Sequence, residues 1–265
     1  MGQRYAIALI ALCGCAASGP GFYDAAPIED AGLALCVWSR RYTPPIVYTE
    51  SDFIRVYFEA ADPATYRRAI PEPFAMPARP LVRVSVLDFY GMENGPLYRE
   101  SEISVLALHE GRPGWVVLTM PVTDGDACAG GRNALGTPKV MRRVTLERAD
   151  KQYVGTSYAR GGRTPEFTLH VEVAEPGEAA RELLRVVAPF PDYNLLNGRV
   201  MTYGGLRQPV YELEEAAPGI WKVRLGEGRL DYPRESQSLL HRLGVGQPLA
   251  AYWAQLRYRY SITPR

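Results

Sequence analysis

Residues 103–120 read Ile-Ser-Val-Leu-Ala-Leu-His-Glu-Gly-Arg-Pro-Gly-Trp-Val-Val-Leu-Thr-Met. Two apolar runs, Ile103 to Leu108 and Trp115 to Met120, flank His109-Glu110-Gly111-Arg112-Pro113-Gly114. Apolar runs of this length bounded by Gly and Pro predict two strands joined by a hairpin-like turn. Working outward, Leu81 to Phe89 alternates well enough for a strand, and Phe53 to Phe58 reads as another. Between them Asp62-Pro63 opens a short helix, with Asp62 as cap and Pro63 at the first helical position; it stops before Pro71-Glu72-Pro73.

Downstream, Asp124 or Asp126 caps a helix running to about Leu135, with Gly136 as its stop and Pro138 just beyond. Val140 to Arg148, Tyr153 to Tyr158 and Phe167 to Val173 follow as strands, and Glu178 to Val187 has helical spacing. Leu195 to Thr202, Val210 to Glu214 and Ile220 to Leu225 are further strands. A helix near Leu239 and an aromatic strand, Tyr252 to Tyr260, close the chain. The expectation is an α+β fold, predominantly antiparallel β, as a twisted sheet or barrel with a few short helices. Residues 19 to 50 read as loop, with Pro27, Pro44 and Pro45, and no linker divides residues 19–265 into more than one domain.

Composition agrees with many short strands and tight turns: the 265 residues are 47% hydrophobic and include 25 Gly, 22 Pro and 17 Tyr. A formal net charge of +1 gives no electrostatic reason to expect a nucleic-acid partner. The chain has only three lysines, Lys139, Lys151 and Lys222, so any lysine chemistry must use one of them.

The first residues read as an export leader. Arg4 precedes a short apolar run, Tyr5 to Leu12, and Cys15-Ala16-Ala17-Ser18-Gly19 supplies small residues for cleavage. The run is too short to span a bilayer. Leu12-Cys13-Gly14-Cys15 also resembles a lipobox, which would make Cys15 a lipid anchor and the only membrane contact. Residues 1–18 are thus expected to be a signal peptide or lipoprotein leader, and the protein exported. Cys36 and Cys128 would then remain in the mature chain, either paired in an oxidising compartment or as two buried thiols.

Several chemistries are not signalled. The chain has no Gly-x-Gly-x-x-Gly or Walker loop and no Gly-x-Ser-x-Gly elbow. His109, His170 and His241 are scattered, with no Cys or carboxylate at metal spacing, so neither a metal nor a cofactor is expected. Two segments remain: Tyr98-Arg99-Glu100-Ser101, and Gly131-Arg132-Asn133-Ala134-Leu135-Gly136-Thr137-Pro138-Lys139. In order with Ile70-Pro71-Glu72-Pro73 and Leu81-Val82-Arg83, they resemble the acetoacetate decarboxylase family from about Phe53 to the C-terminus. That family carries a Schiff-base lysine after a Gly-Arg-Glu run and a Pro, and an active-site glutamate in a Tyr-x-Glu-Ser segment.

The resemblance implies Lys139 as nucleophile and Glu100 as general acid/base or substrate-orienting group, with Arg132, Tyr98, Met141 and Tyr252 as candidate substrate contacts. Arg132 can equally serve a structural ion pair, and Tyr252, Tyr258 and Tyr260 can equally be core. A neutral lysine amine condenses with a ketone to an iminium, an electron sink that lets a β-carboxylate leave as CO₂. A free lysine titrates at about 10.4, so neutrality near pH 7 requires about 4 kcal/mol of differential stabilisation. Desolvation or a neighbouring cation supplies it, and acetoacetate decarboxylase is itself a standard case.

The chain departs from the family in several places. The lysine that follows the nucleophile in the decarboxylase is Val140 here, followed by Met141, so the cation would have to come from Arg142 or Arg143. The family's early arginine falls near Glu50 or Ser51, a second glutamate falls on Ser85, and Asn133 and Thr137 replace a Glu and an aromatic. A dipole at the preceding helix C-terminus favours the charged amine. The reading is a Schiff-base lyase decarboxylating a β-keto acid. An aldolase or dehydratase using the same lysine and a non-catalytic small-ligand-binding protein are the alternatives. The partner is a small keto acid or ketone, and the resemblance implies a homo-oligomer.

Overall fold

The computed structural model describes Cys36 and residues 46–203, 221–233 and 238–262. The leader and the strand expected at Val210 to Glu214 lie outside the described residues. In chain order the elements are β1 (Ile46–Ala60), α1 (Pro63–Ala69), β2 (Leu81–Glu93), β3 (Tyr98–His109), β4 (Arg112–Val122) and α2 (Gly125–Gly130). A π-helical turn (Gly131–Leu135) precedes β5 (Lys139–Met141), β6 (Val144–Ala149), β7 (Gln152–Tyr158), β8 (Pro165–Val173) and α3 (Glu178–Val187). The chain continues through β9 (Asp192–Leu196), β10 (Arg199–Tyr203), β11 (Trp221–Asp231), α4 (Leu239–Leu243) and β12 (Val245–Ile262).

One 12-stranded sheet runs β10-β9-β4-β3-β2-β1-β12-β11-β8-β7-β6, with β5 beside β4. Of the two expected forms, twisted sheet or barrel, the fold takes the open sheet: among the described residues β10 and β6 are its two ends. Every pairing is antiparallel except β4 with β5 and β4 with β9, which are parallel.

The quoted hairpin is tighter than its sequence reads. Glu110 (φ 50°) and Gly111 (φ 77°) both take positive φ, the two-residue turn that matches strand twist, so pairing extends to His109 and Arg112. The same device corrects the expected single strand from Leu195 to Thr202. Asn197 (φ 51°) and Gly198 (φ 75°) fold it into the β9–β10 hairpin. The Asn-Gly pair was the signal.

The expected helix from Asp124 to Leu135 is also two pieces. The Asp124 carboxylate accepts from the N–H groups of Asp126 and Ala127 and caps α2. The helix then widens into the π-helical turn and stops at Gly136, φ 66°. Val140 to Arg148 divides as well: residues 139–141 pair with β4 and residues 144–149 with β7. Residues 46–50, read as loop, belong to β1. Cys36 and Cys128 are joined by a disulfide with Cα atoms 5.2 Å apart, which ties Cys36 to α2.

Period-two alternation gives the sheet two faces. One carries Ile54, Val56, Val82, Val84, Ile103, Val105 and Trp253 into the main core beneath α1 and α4. The opposite face carries Phe53, Tyr57, Trp115 and Tyr252 against α3. Buried among these aromatics are Glu100, Glu102 and Ser104 of β3, Arg83 and Ser85 of β2, and Ser51 of β1. A buried row of charged side chains on an apolar face is costly unless each is paired, and so marks where function is to be sought.

Candidate active site

Lys139 begins β5, which lies parallel on the edge of β4 with Lys139 opposite Met120 and Met141 opposite Val122. Glu100 stands across β4 on β3, opposite Val122. Their side chains meet on the inner face: Lys139 Nζ donates to Glu100 Oε2 at 2.7 Å. Lys139 is 5% exposed and Glu100 6%, so water contributes little to either.

Sequence places two other groups around the amine. The Tyr98 ring lies with its centroid 5.0 Å from Nζ, stacked on Phe89, and its hydroxyl is 3.1 Å from that of Tyr48. Met141, Val122, Ala127 and Cys128 complete an apolar wall. The path of the lysine chain explains Gly131, whose backbone is ordinary right-handed helix at φ −61°. A Cβ there would lie 2.6 Å from Lys139 Cδ and Cε, so the glycine serves close approach rather than turning. Arg132 donates to the Lys139 carbonyl at 3.5 Å and so holds the lysine's backbone.

Burial raises the Glu100 carboxyl above its ordinary value. The Lys139 ammonium opposes this, and the charges of Glu102 and Asp192 add to it. The carboxyl therefore keeps its proton to higher pH than a solvated glutamate, which suits it to donating a proton.

Beside this pair lies a second network that the sequence reading missed. Arg83 Nε donates to Glu102 Oε1 at 2.9 Å, and the same guanidinium reaches Asp192 of β9. Ser104 donates to Glu102 as well. Glu102, receiving these bonds, is held below its ordinary value against the desolvation that would raise it, while burial raises Asp192. Arg83 also lies 4.9 Å from the Trp115 ring centroid. Arg55 of β1 donates to Ser85 at 2.8 Å and to the Tyr252 hydroxyl at 3.3 Å, with Glu102 Oε2 at 4.0 Å.

Two of the departures from the family pattern thus have neighbours of the missing type. Ser85 is the cross-strand partner of Glu102, and Ser51 shares its face of β1 with Arg55. The signal for both was visible as Glu100-x-Glu102-x-Ser104 and as a lone arginine in Phe53-Ile54-Arg55-Val56-Tyr57. Arg142 donates to the Met141 carbonyl, and Arg143 lies over the Tyr158 ring at 4.5 Å. Tyr252 belongs to the aromatic cluster with Phe53 and Tyr57, with four strands between it and the strand of Lys139 in the sheet order. The side chains of Tyr258 and Tyr260 lie outside the described residues.

Among the described residues no group of three or more His, Cys, Asp and Glu side chains is arranged to hold a metal ion. An open apolar depression of about 530 Å³ near α3 is lined by Leu81, Leu106, Pro113, Leu183 and Phe190 and contains none of the groups above.

A buried amine against a carboxyl of raised proton affinity, with an arginine–carboxylate network beside it, can add to a carbonyl and move the protons that the addition requires. The chain is 28% identical over 134 residues to an acetoacetate decarboxylase of Ralstonia nicotianae, 50% of this chain and 53% of that one. It is 30% identical over 112 residues to one of Streptomyces nogalater, 42% and 45% of the two chains. The chain spans about half the length of the curated relatives it matches. The fold superposes on an acetoacetate decarboxylase from Legionella pneumophila with a TM-score of 0.60 at 14% identity, covering 97% and 98% of the two chains. It also matches the enduracididine biosynthesis enzyme MppR, complexed with the condensation product of pyruvate and imidazole 4-carboxaldehyde, with a TM-score of 0.55 at 15% identity, covering 89% and 97%. The sequence model of the family, described as acetoacetate decarboxylase, matches residues 38–262, and the chain belongs to the acetoacetate decarboxylase family.

Proposed function

We propose that this protein is a Schiff-base lyase that decarboxylates a β-keto acid through Lys139. The observation that carries the reading is the buried hydrogen bond from Lys139 Nζ to Glu100 Oε2 at 2.7 Å. In the proposed reaction the neutral amine adds to the ketone carbon, and the carbinolamine loses water, protonated by Glu100, to give the iminium. The bond to the carboxylate then breaks, CO₂ leaves, and its electron pair moves into the iminium to form an enamine. Glu100, reprotonated, returns a proton to the enamine carbon, and water releases the ketone and the amine. The dry wall of Tyr98, Met141 and Val122 favours this sequence because charge is lost as the amine becomes neutral and as CO₂ departs.

A second reading uses the same lysine for aldol or dehydration chemistry. It is favoured by the likeness to MppR bound to a pyruvate condensation product, and by a row of buried polar groups that extends past Glu100 to Arg83 and Arg55.

The test is borohydride trapping. The protein is incubated with acetoacetate or pyruvate, reduced, and the adduct mapped by mass spectrometry. A reduced adduct on Lys139 with CO₂ release is expected. An adduct without CO₂ would move the assignment to the aldolase branch. Absence of any adduct with a panel of keto acids and aldehydes would leave a pocket protein without this chemistry. The leader is proposed to direct export, and mass spectrometry of the mature N-terminus would show cleavage or lipidation at Cys15.

A further inference from the structure

Asn194 is 2% exposed, and neither its amide oxygen nor its amide nitrogen has a hydrogen-bond partner among the described residues. An orphaned buried amide normally costs free energy, so its position needs a reason. Strand geometry says where it points. Asp192 pairs with Trp115 across the parallel β4–β9 contact, and Asp192 reaches Arg83 on the inner face. Alternation along β9 turns Tyr193 to the main core, where it stacks on Phe74, and returns Asn194 to the face of Asp192.

The two neighbours of β4 on that edge meet here. β9 pairs with β4 at Trp115 and Val116, and β5 pairs with it at Met120 to Val122, so Asn194 falls between Asp192 and Lys139. Close packing of β9 on the lysine-bearing loop is direct: a Cβ on Gly136 would lie 2.8 Å from the Leu195 carbonyl oxygen. On that loop the Thr137 hydroxyl, two residues before the lysine, is a second buried group without a partner among the described residues.

We propose that Asn194, helped by Thr137, is a specificity-determining residue that hydrogen-bonds a neutral polar substituent, a hydroxyl above all, on the substrate carbon next to the carbonyl that Lys139 attacks. This rests on the Schiff-base reading and narrows its substrate class. The amide and the hydroxyl each both donate and accept, as a substrate hydroxyl does. A methyl group there would leave them unpaired. The pocket therefore suits a hydroxylated keto acid better than acetoacetate.

The test compares 4-hydroxy-3-oxobutanoate with acetoacetate on the wild type, Asn194→Leu and Thr137→Val. The expected result is a kcat/KM ratio of about tenfold or more in favour of the hydroxylated acid in the wild type, collapsing in Asn194→Leu and shrinking in Thr137→Val. No preference in the wild type, or a ratio unmoved by the substitutions, would overturn the proposal. Thr137→Val keeps side-chain shape and serves if Asn194→Leu fails to fold. If neither acid turns over, calorimetric binding to Lys139→Met separates the two ideas. Tighter binding of the hydroxylated acid, lost on adding Asn194→Leu, would keep the subsite while the Schiff-base reading falls, and equal binding of the two acids would remove the subsite.

Discussion

Lys139 and Glu100 are 39 residues apart in sequence and come within 2.7 Å because both flank β4, the lysine on a parallel neighbour and the glutamate on an antiparallel one. Neither strand alone makes the site. The geometry depends on a helix that widens, stops at Gly136 and delivers three residues to an edge.

Lys139→Met should abolish borohydride trapping and turnover while leaving the protein folded. The variant leaves Glu100 without its partner, but burial already favours the protonated, neutral carboxyl. A melting temperature within a few degrees of the wild type, with adduct formation lost, is the expected pair of measurements.

Glu100→Gln should lower kcat by about 10² to 10⁴, the usual range for loss of a positioned proton donor. Because burial raises the carboxyl's pKa, its donor form persists above the ordinary carboxylate range and is lost as pH rises through the raised value. The wild-type profile should therefore decline on that alkaline side, and the variant's profile should lack that limb.

Gly131→Ala should damage catalysis more than stability. Its backbone is helical, so alanine costs nothing conformationally, yet the new methyl would lie 2.6 Å from the lysine chain. A tenfold or larger loss of kcat is expected, with overpacking costing about 1–3 kcal/mol by chemical denaturation.

Glu102→Gln should destabilise the fold in a pH-dependent way. The folded carboxyl is held below its ordinary value by Arg83, Arg55 and Ser104, against desolvation. Its contribution is present above the unfolded value of 4.5 and fades as pH falls through the lower folded one. The stability gap between wild type and variant should be widest at neutral pH and close in acid. Arg83→Leu, which strands two buried acids, should cost about 3–5 kcal/mol.

Cys128→Ser should lower stability by about 2–4 kcal/mol, since the bridge closes a long loop of sequence separation 92. The same loss should follow reduction of the wild type, and urea titration with and without reductant would measure it.

Lys139 and Glu100 were singled out because Thr137-Pro138-Lys139 and Tyr98-Arg99-Glu100-Ser101 resemble family motifs, and the structure brings the two side chains together. The antiparallel character was legible from alternation, and α1 and α3 from capping and helical spacing. The second network was not, because Arg83, Glu102 and Asp192 come from three strands whose pairing no local pattern states. Asn194 was hidden for a related reason: β9 was read through its own Asn-Gly turn as a single longer strand, which erased the edge where it stands.

The alternation on β3 has one more consequence. Glu100, Glu102 and Ser104 face the site, and Ile103, Val105 and Ala107 face the main core. A slip of β3 by one residue against β2 or β4 would exchange the two sets, driving carboxylates into the aliphatic core and presenting Arg99 or Ser101 to the amine. Folding errors in this strand would thus be silent in strand content and plain in turnover, so specific activity would serve as a fidelity assay for strand register during refolding.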